Sequence, residues 1–410
     1  MLQLIPEYHN RHLALGIGLC LLLASCDRGY DHRVICYSCG GTPTEISKGV
    51  VSADFNGDGF PDVVALSSIP GSSNLKTYLS TAAGAYAAPT LTPDGDNPLY
   101  LASADLNGDG FKDLVSASYD DGVLRVFFND KASPGTFNSP LVLKSPGASQ
   151  VAIADVNADG MPDLISADFN VSLFVQSSPG TFAAPISLYS GGANWVAAGD
   201  LNGDGAPDVA LTDPVGVKVL MHTGAASATT YAAPVSVFTS TVNLNVTGAN
   251  IIAIADVNGD GLNDLVITDP GPTGGTAPTV NILLQNPASH GSFLTPVSVP
   301  LGTQDLPQSI IVTDLQGTGK LDIVIGGLKS VIVLLHDPAN PGKFLPATVY
   351  AAAGANEIAV ADINGDGKPD IVVSTGVTQA MQSGVVTTNP GVLLQSSTTP
   401  GTFGMLEDLP

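Results

Sequence analysis

The chain has 410 residues, with 14 Lys and Arg against 37 Asp and Glu and a formal net charge of −23. That balance excludes nucleic-acid binding and an electrostatic grip on anionic lipid, since both need a basic stripe. Gly (46) and Pro (30) are abundant and aromatic residues make up 6%, a composition suited to many short strands joined by tight turns.

Residues Leu13 to Leu23 form a short apolar run after Arg11 and His12. The run is too short for a comfortable membrane span and has the shape of a signal-peptide core, so residues 1–25 are set aside from the fold. It ends in Leu23-Ala24-Ser25-Cys26, which resembles a bacterial lipobox. That resemblance implies lipidation of Cys26 and an exported bacterial lipoprotein, anchored to a cell-envelope membrane on its periplasmic or cell-surface side. The alternative is an ordinary signal peptide cleaved near Ser25. Residues 26–45 read as a tether, in which export favours a local disulfide between Cys36 and Cys39 over a zinc site or a redox motif.

From residue 46 to 410 one pattern dominates: Asp-x-Asn-x-Asp-Gly-x-x-Asp, or a close variant. Its copies begin at Asp54, Asp105, Asp155, Asp200, Asp256, Asp314 and Asp362. The intervals of 45 to 58 residues suit one four-stranded unit and are too short for an independent domain. Seven such units predict an all-β chain, a seven-bladed β-propeller of four-stranded antiparallel blades.

In the first copy the side chains of Asp54, Asn56, Asp58 and Asp62 present oxygens at positions 1, 3, 5 and 9, while Gly59 at position 6 permits the curl. The same set recurs as Asp105, Asn107, Asp109 and Asp113, then as Asp155, Asn157, Asp159 and Asp163. It returns as Asp200, Asn202, Asp204 and Asp208, as Asp256, Asn258, Asp260 and Asp264, and as Asp362, Asn364, Asp366 and Asp370. All-oxygen donors without His or Cys on a flexible loop favour Ca²⁺, at about six sites. An EF-hand would need Glu at position 12, where the intact copies carry Ala65, Ser116, Ser166, Leu211, Ile267 and Val373. Apolar runs such as Gly49-Val50-Val51-Ser52-Ala53 before a loop and Asp62-Val63-Val64-Ala65 after it place the loops between strands. The copy at Asp314 has Thr318 at position 5 and is expected to bind weakly or not at all. Ala158 replaces Gly in the third copy at a position that supplies no ligand, and is expected to be harmless.

Each unit also carries an aromatic residue late in its span: Tyr86, Phe137, Phe182, Tyr231, Phe293, Phe344 and Phe403. Five of them are followed by Pro three residues on, as in Phe182-Ala183-Ala184-Pro185. These rings are expected to plug the space between adjacent blades. The acidic loop followed by the Gly-x-Phe-x-x-Pro element resembles the FG-GAP/VCBS repeat family, to which the integrin α-subunit propeller is related. The resemblance implies calcium loops between the first and second strands of each blade, with the ligand positions named above, and partner binding on the opposite face. Either Val34 to Ser38 or Phe403 to Leu409 would complete the ring.

On that opposite face, Asp168, Asp213 and Asp269 each fall five residues after a last motif Asp. They read either as holders of a cation or cationic ligand group, or as turn-initiating residues with solvated carboxylates. Trp195, the single Trp, reads either as a stacking platform for a sugar or as core packing. The sequence carries no nucleophile elbow, metal-binding His/Glu helix or phosphate-binding glycine loop. The expected function is therefore noncatalytic recognition of a protein or polysaccharide, without enzymatic activity. A calcium-assisted polysaccharide lyase or hydrolase and a scaffold subunit of an envelope complex are the alternatives.

Overall fold

In every unit the apolar run before the acidic loop and the run after it pair antiparallel, so the loop becomes the turn between them. A computed structural model describes residues 46–68, 73–224, 229–240, 251–271, 277–374 and 389–409. Blade one is built from Ile46–Ala53, Asp62–Ser68, Ser73–Tyr78 and Thr90–Gly95. Val51 faces Val64 and Ala53 faces Asp62, a register that sets the loop at the end of the pair. Six further four-stranded sheets repeat the plan, each with its strands in sequence order from inner to outer edge. The second strands of blades two, four and five, Asp113–Ser118, Asp208–Asp213 and Asp264–Asp269, are buried at every residue. They lie in mid-blade with apolar neighbours on both faces, which is why their apolar runs scarcely alternate.

Among the described residues seven apolar clusters hold the ring, and each is shared by two neighbouring blades. The expected aromatic plugs sit at these joints. Phe137 of blade two meets Phe55 of blade one edge to face at 5.8 Å, and Phe403 of blade seven meets Tyr350 of blade six at 5.6 Å. The last joint sets Val50, Val63 and Tyr78 of blade one against Ile363, Val372, Val392 and Leu409 from the C-terminal unit. The Gly84 amide also donates to the Ile363 carbonyl across it, at 2.8 Å.

Phe403–Asp408 is the outer strand of blade seven, pairing Leu406 with Leu393 and Asp408 with Gly391. Among the described residues each blade is thus made of consecutive strands, and the ring closes by packing rather than by strand exchange. Cys26, Cys36, Cys39 and Val34 to Ser38 lie outside the described residues. Among the described residues no helix is long and apolar enough to cross a membrane.

Candidate functional site

The seven acidic loops all join first and second strands, so they share one end of the ring. Their last aspartate has a role that the ligand pattern does not reveal. Asp113 is fully buried: one carboxylate oxygen accepts from the Leu106 amide at 2.8 Å and the other from the Asn129 amide at 2.8 Å. Leu106 opens the loop and Asn129 follows the third strand, so one side chain clamps the two together. Asp62, Asp163, Asp208, Asp264, Asp322 and Asp370 make the same pair of bonds, with distances from 2.6 to 3.1 Å. The clamp therefore persists at Asp322, in the copy that has lost its position-5 carboxylate. Burial raises Asp62, Asp113, Asp208 and Asp264 to about 6, although backbone donors pull in the opposite direction.

The oxygens at positions 1, 3 and 5 lie nearer the surface. Asp54 accepts from the amides of Gly57 at 2.6 Å and Gly59 at 2.8 Å, and Asn56 accepts from Asp58 at 2.9 Å. The Asn56 side-chain amide donates to the Asp58 carboxylate at 2.9 Å, and its counterparts do so in copies three, four and five. The donor set thus fits a hard cation in kind, being all oxygen on a tightly curled loop. Its oxygens are engaged by the loop's own amides, however. Among the described residues no three His, Cys, Asp or Glu side chains are grouped to hold a metal ion as they stand.

Copy six keeps the same backbone. Gly317 and Gly319 have φ of 68° and 73°, and Asp314 accepts from Gly319 at 2.6 Å. Gln316 and His336 both contact the Asp322 carboxylate, at 3.2 and 2.9 Å. Loop shape is therefore set by glycines and amide bonds, not by the position-5 acid. Ala158 corrects the expectation of harmlessness: its φ of 55° lies in the left-handed region, where a Cβ costs about 1–2 kcal/mol.

Hairpins after the third strands lean over the loop of the preceding blade. The Asn129 amide reaches the Phe55 carbonyl at 2.8 Å, and the Gln395 amide reaches Leu315 at 3.0 Å. At the hairpin turn, a Cβ added to Gly342 would lie 3.2 Å from the Asn258 Cβ, so the approach depends on a small residue there.

At the opposite end, Asp168, Asp213 and Asp269 initiate turns, accepting from Asn170, Val215 and Gly271 amides at 2.5, 2.9 and 3.0 Å. Their carboxylates are buried, not solvated as expected. Ser145, Ser166 and Ser172 hydroxyls bond Asp168, while Tyr189 and Lys218 satisfy Asp213. At Asp168 and Asp213 these bonds knit the turn to its own blade and to the preceding outer strand, and they occupy oxygens a cationic ligand would need.

Trp195 stands apart from the three aspartates. It packs into the joints on both sides of blade five, and its indole N–H donates to the Ile252 carbonyl at 3.2 Å. It also lines a cavity of about 280 Å³ on the ring axis, together with Tyr100, Ser309 and Glu357. Sequence reasoning passed over those three. The signal available was positional: Gly49, Tyr100, Gln150, Trp195, Ile251, Ser309 and Glu357 are each the fifth residue before a motif aspartate.

The turns between second and third strands expose apolar side chains at this same end. Phe169 is 57%, Val215 61% and Leu328 38% exposed, and Phe169 meets Tyr119 edge to face at 6.0 Å.

Against known families, an FG-GAP-like repeat matches residues 54–116, 105–166, 155–211, 256–325 and 314–373, each match running from one acidic loop through the next. The chain belongs to the FG-GAP-like repeat family. No curated protein matches its sequence. Among solved structures, this FG-GAP-like repeat chain is similar to a lectin from Agrocybe aegerita that recognises non-reducing terminal N-acetylglucosamine. The two are 21% identical with a TM-score of 0.52, over 75% of this chain and 80% of the lectin. BBS1N, solved in complex with ARL6DN, is 9% identical with a TM-score of 0.50, over 82% of this chain and 90% of that one. A putative 6-phosphogluconolactonase from Bacteroides fragilis is 15% identical with a TM-score of 0.49, covering 73% and 82%. At these identities the likeness is one of fold. The FG-GAP-like repeat propeller suggests a ligand-binding or recognition role.

Proposed function

We propose that this FG-GAP-like repeat protein is a noncatalytic recognition module of the bacterial cell envelope, held to a membrane through Cys26 and stabilised by Ca²⁺ at six of its seven loops. It binds a protein or polysaccharide on the face opposite those loops. The observation that carries the recognition role is the placement of Phe169, Val215 and Leu328, exposed at corresponding turns of blades three, four and six. Apolar side chains held out at the tips of turns, on a base stiffened by buried hydrogen-bonded aspartates, suit a rigid contact face. Calcium is supported by the donor types and by the six-fold recurrence of the full set. At an affinity of about 0.1 mM, millimolar Ca²⁺ would contribute about 1.4 kcal/mol per loop.

Affinity capture and glycan-array binding with the mature protein test this reading. Phe169→Ser with Val215→Ser is expected to abolish binding while leaving the melting curve unchanged, and release of oligosaccharide products would overturn the noncatalytic role. Calorimetric titration is expected to give about six Ca²⁺ per chain, a number set by the intact loops. An unchanged melting curve after exhaustive chelation refutes calcium stabilisation. Loss of membrane partitioning in Cys26→Ala tests the anchor.

A further inference from the structure

The axial cavity holds chemistry that neither the loops nor the exposed turns account for. Position for position, the residues just downstream of its polar lining are alike: Val50, Leu101, Val151, Val196, Ile252, Ile310 and Ile358 are all buried and apolar. The preceding position is instead different in every blade, and in blades two, four, six and seven it supplies Tyr100, Trp195, Ser309 and Glu357 to the cavity. A repeat that holds its frame constant and varies one inward register places its individuality at that register.

Two of these groups lack partners. The Glu357 carboxylate makes no hydrogen bond or ion pair among the described residues. The residue is partly buried and lines the cavity, and burial raises its pKa well above the ordinary carboxylate range. Ser309 is buried; its hydroxyl has no hydrogen-bond partner among the described residues and is enclosed beside Gly326, so the carboxylate is the polar side chain left open to a ligand. No Lys, Arg or His among the described residues lines the cavity. A carboxylate with no counter-charge is costly inside a protein unless a proton neutralises it or a cation comes to meet it.

The remaining lining limits what that can be. Tyr100 and Trp195 meet edge to face, with ring centroids 5.5 Å apart at an interplanar angle of 81°. Most other lining residues are Val, Ile, Leu and Ala. Aromatic rings beside a carboxylate favour a cation, through charge pairing and through the negative faces of the rings. The two rings and the apolar side chains between them offer a surface for a small hydrocarbon body. One carboxylate is too few for a divalent metal, which takes six or more oxygens as Ca²⁺ or a near-ideal octahedron as Mg²⁺. The chain's charge of −23 would also concentrate cations along the axis.

We propose that the axial cavity binds a small organic cation, an ammonium or guanidinium group carried on an apolar body. Its charge pairs with Glu357, and its body lies against Trp195 and Tyr100. This site is independent of the loops and of the exposed turns.

Trp195 is the only Trp in the chain, so tryptophan emission comes from a residue that lines this cavity. Phenethylammonium, added to the purified protein in calcium buffer, is expected to change that emission saturably. Phenethyl alcohol, of similar size but neutral, is expected to bind at least about tenfold more weakly. Glu357→Gln is expected to weaken phenethylammonium by about tenfold or more while leaving the neutral compound unaffected. Equal affinity for the alcohol and the ammonium in the unaltered protein would overturn the proposal without any variant. So would wild-type affinity in a folded Glu357→Gln protein, or no saturable emission change with the ammonium.

Discussion

Asp322 offers a clean separation of clamp from cation, because it lies in the one loop whose ligand set is incomplete. Asp322→Ala would remove the acceptor for the Leu315 and His336 amides, at 3.0 and 2.8 Å, from a fully buried position. Stranding two buried amides costs about 1–3 kcal/mol each, so the expected loss is about 2–6 kcal/mol. The His336 ring and Gln316 amide lose the same acceptor, which moves the expectation toward the upper half of that range. By contrast Asp58→Ala removes an exposed acid that accepts from the Phe60 amide at 2.9 Å, and is expected to cost less than about 1 kcal/mol without metal. Urea unfolding of both variants, with chelator and with millimolar Ca²⁺, makes the comparison. The Asp322→Ala loss is expected to be the same in both buffers, while Asp58→Ala is expected to show most of its loss only with Ca²⁺. An Asp322→Ala protein within 1 kcal/mol of the unaltered chain in chelator would refute the clamp.

Ala158→Gly is expected to raise stability by about 1 kcal/mol, read as a shift in urea midpoint at constant slope, by relieving the left-handed φ of 55°. The buried clamps also set a pH dependence for the chelated protein. Asp62, Asp113, Asp208 and Asp264 are raised to about 6 when folded, so the native state binds more protons than the unfolded state between about pH 4 and 6. Their contribution is fully present below that window and is lost as pH rises through it; denaturation midpoints in chelator should therefore fall from pH 5 to pH 7. A flat or rising profile contradicts the assignment. Deleting residues 403–410 removes the outer strand of blade seven together with Leu409 at the closing joint, and is expected to leave a chain without a cooperative unfolding transition by circular dichroism.

Much of this protein is legible in its sequence because its chemistry repeats. Seven acidic loops at near-regular spacing, flanked by β-branched runs, determine strands, turns and blade number, since the hydrophobic period and the turn residues are local properties. The aromatic before Pro likewise marks a joint, because an apolar ring repeated once per unit has only the neighbouring blade in which to be buried. What repetition hides is division of labour within a motif. Position 9 looks like positions 1 and 5, and only the fold brings the amide after the third strand onto Asp113, making it a clamp. Its survival at Asp322, in a loop otherwise decayed, was the one local trace of that role. Burial of Asp168, Asp213 and Asp269 is also tertiary, since the hydroxyls that enclose Asp168 and the Tyr189 hydroxyl on Asp213 come partly from outer strands of the preceding blades. The axial cavity is the furthest from local reading. Tyr100, Trp195, Ser309 and Glu357 are spread over more than half the chain and meet only because a closed ring turns one register of each inner strand toward a common axis.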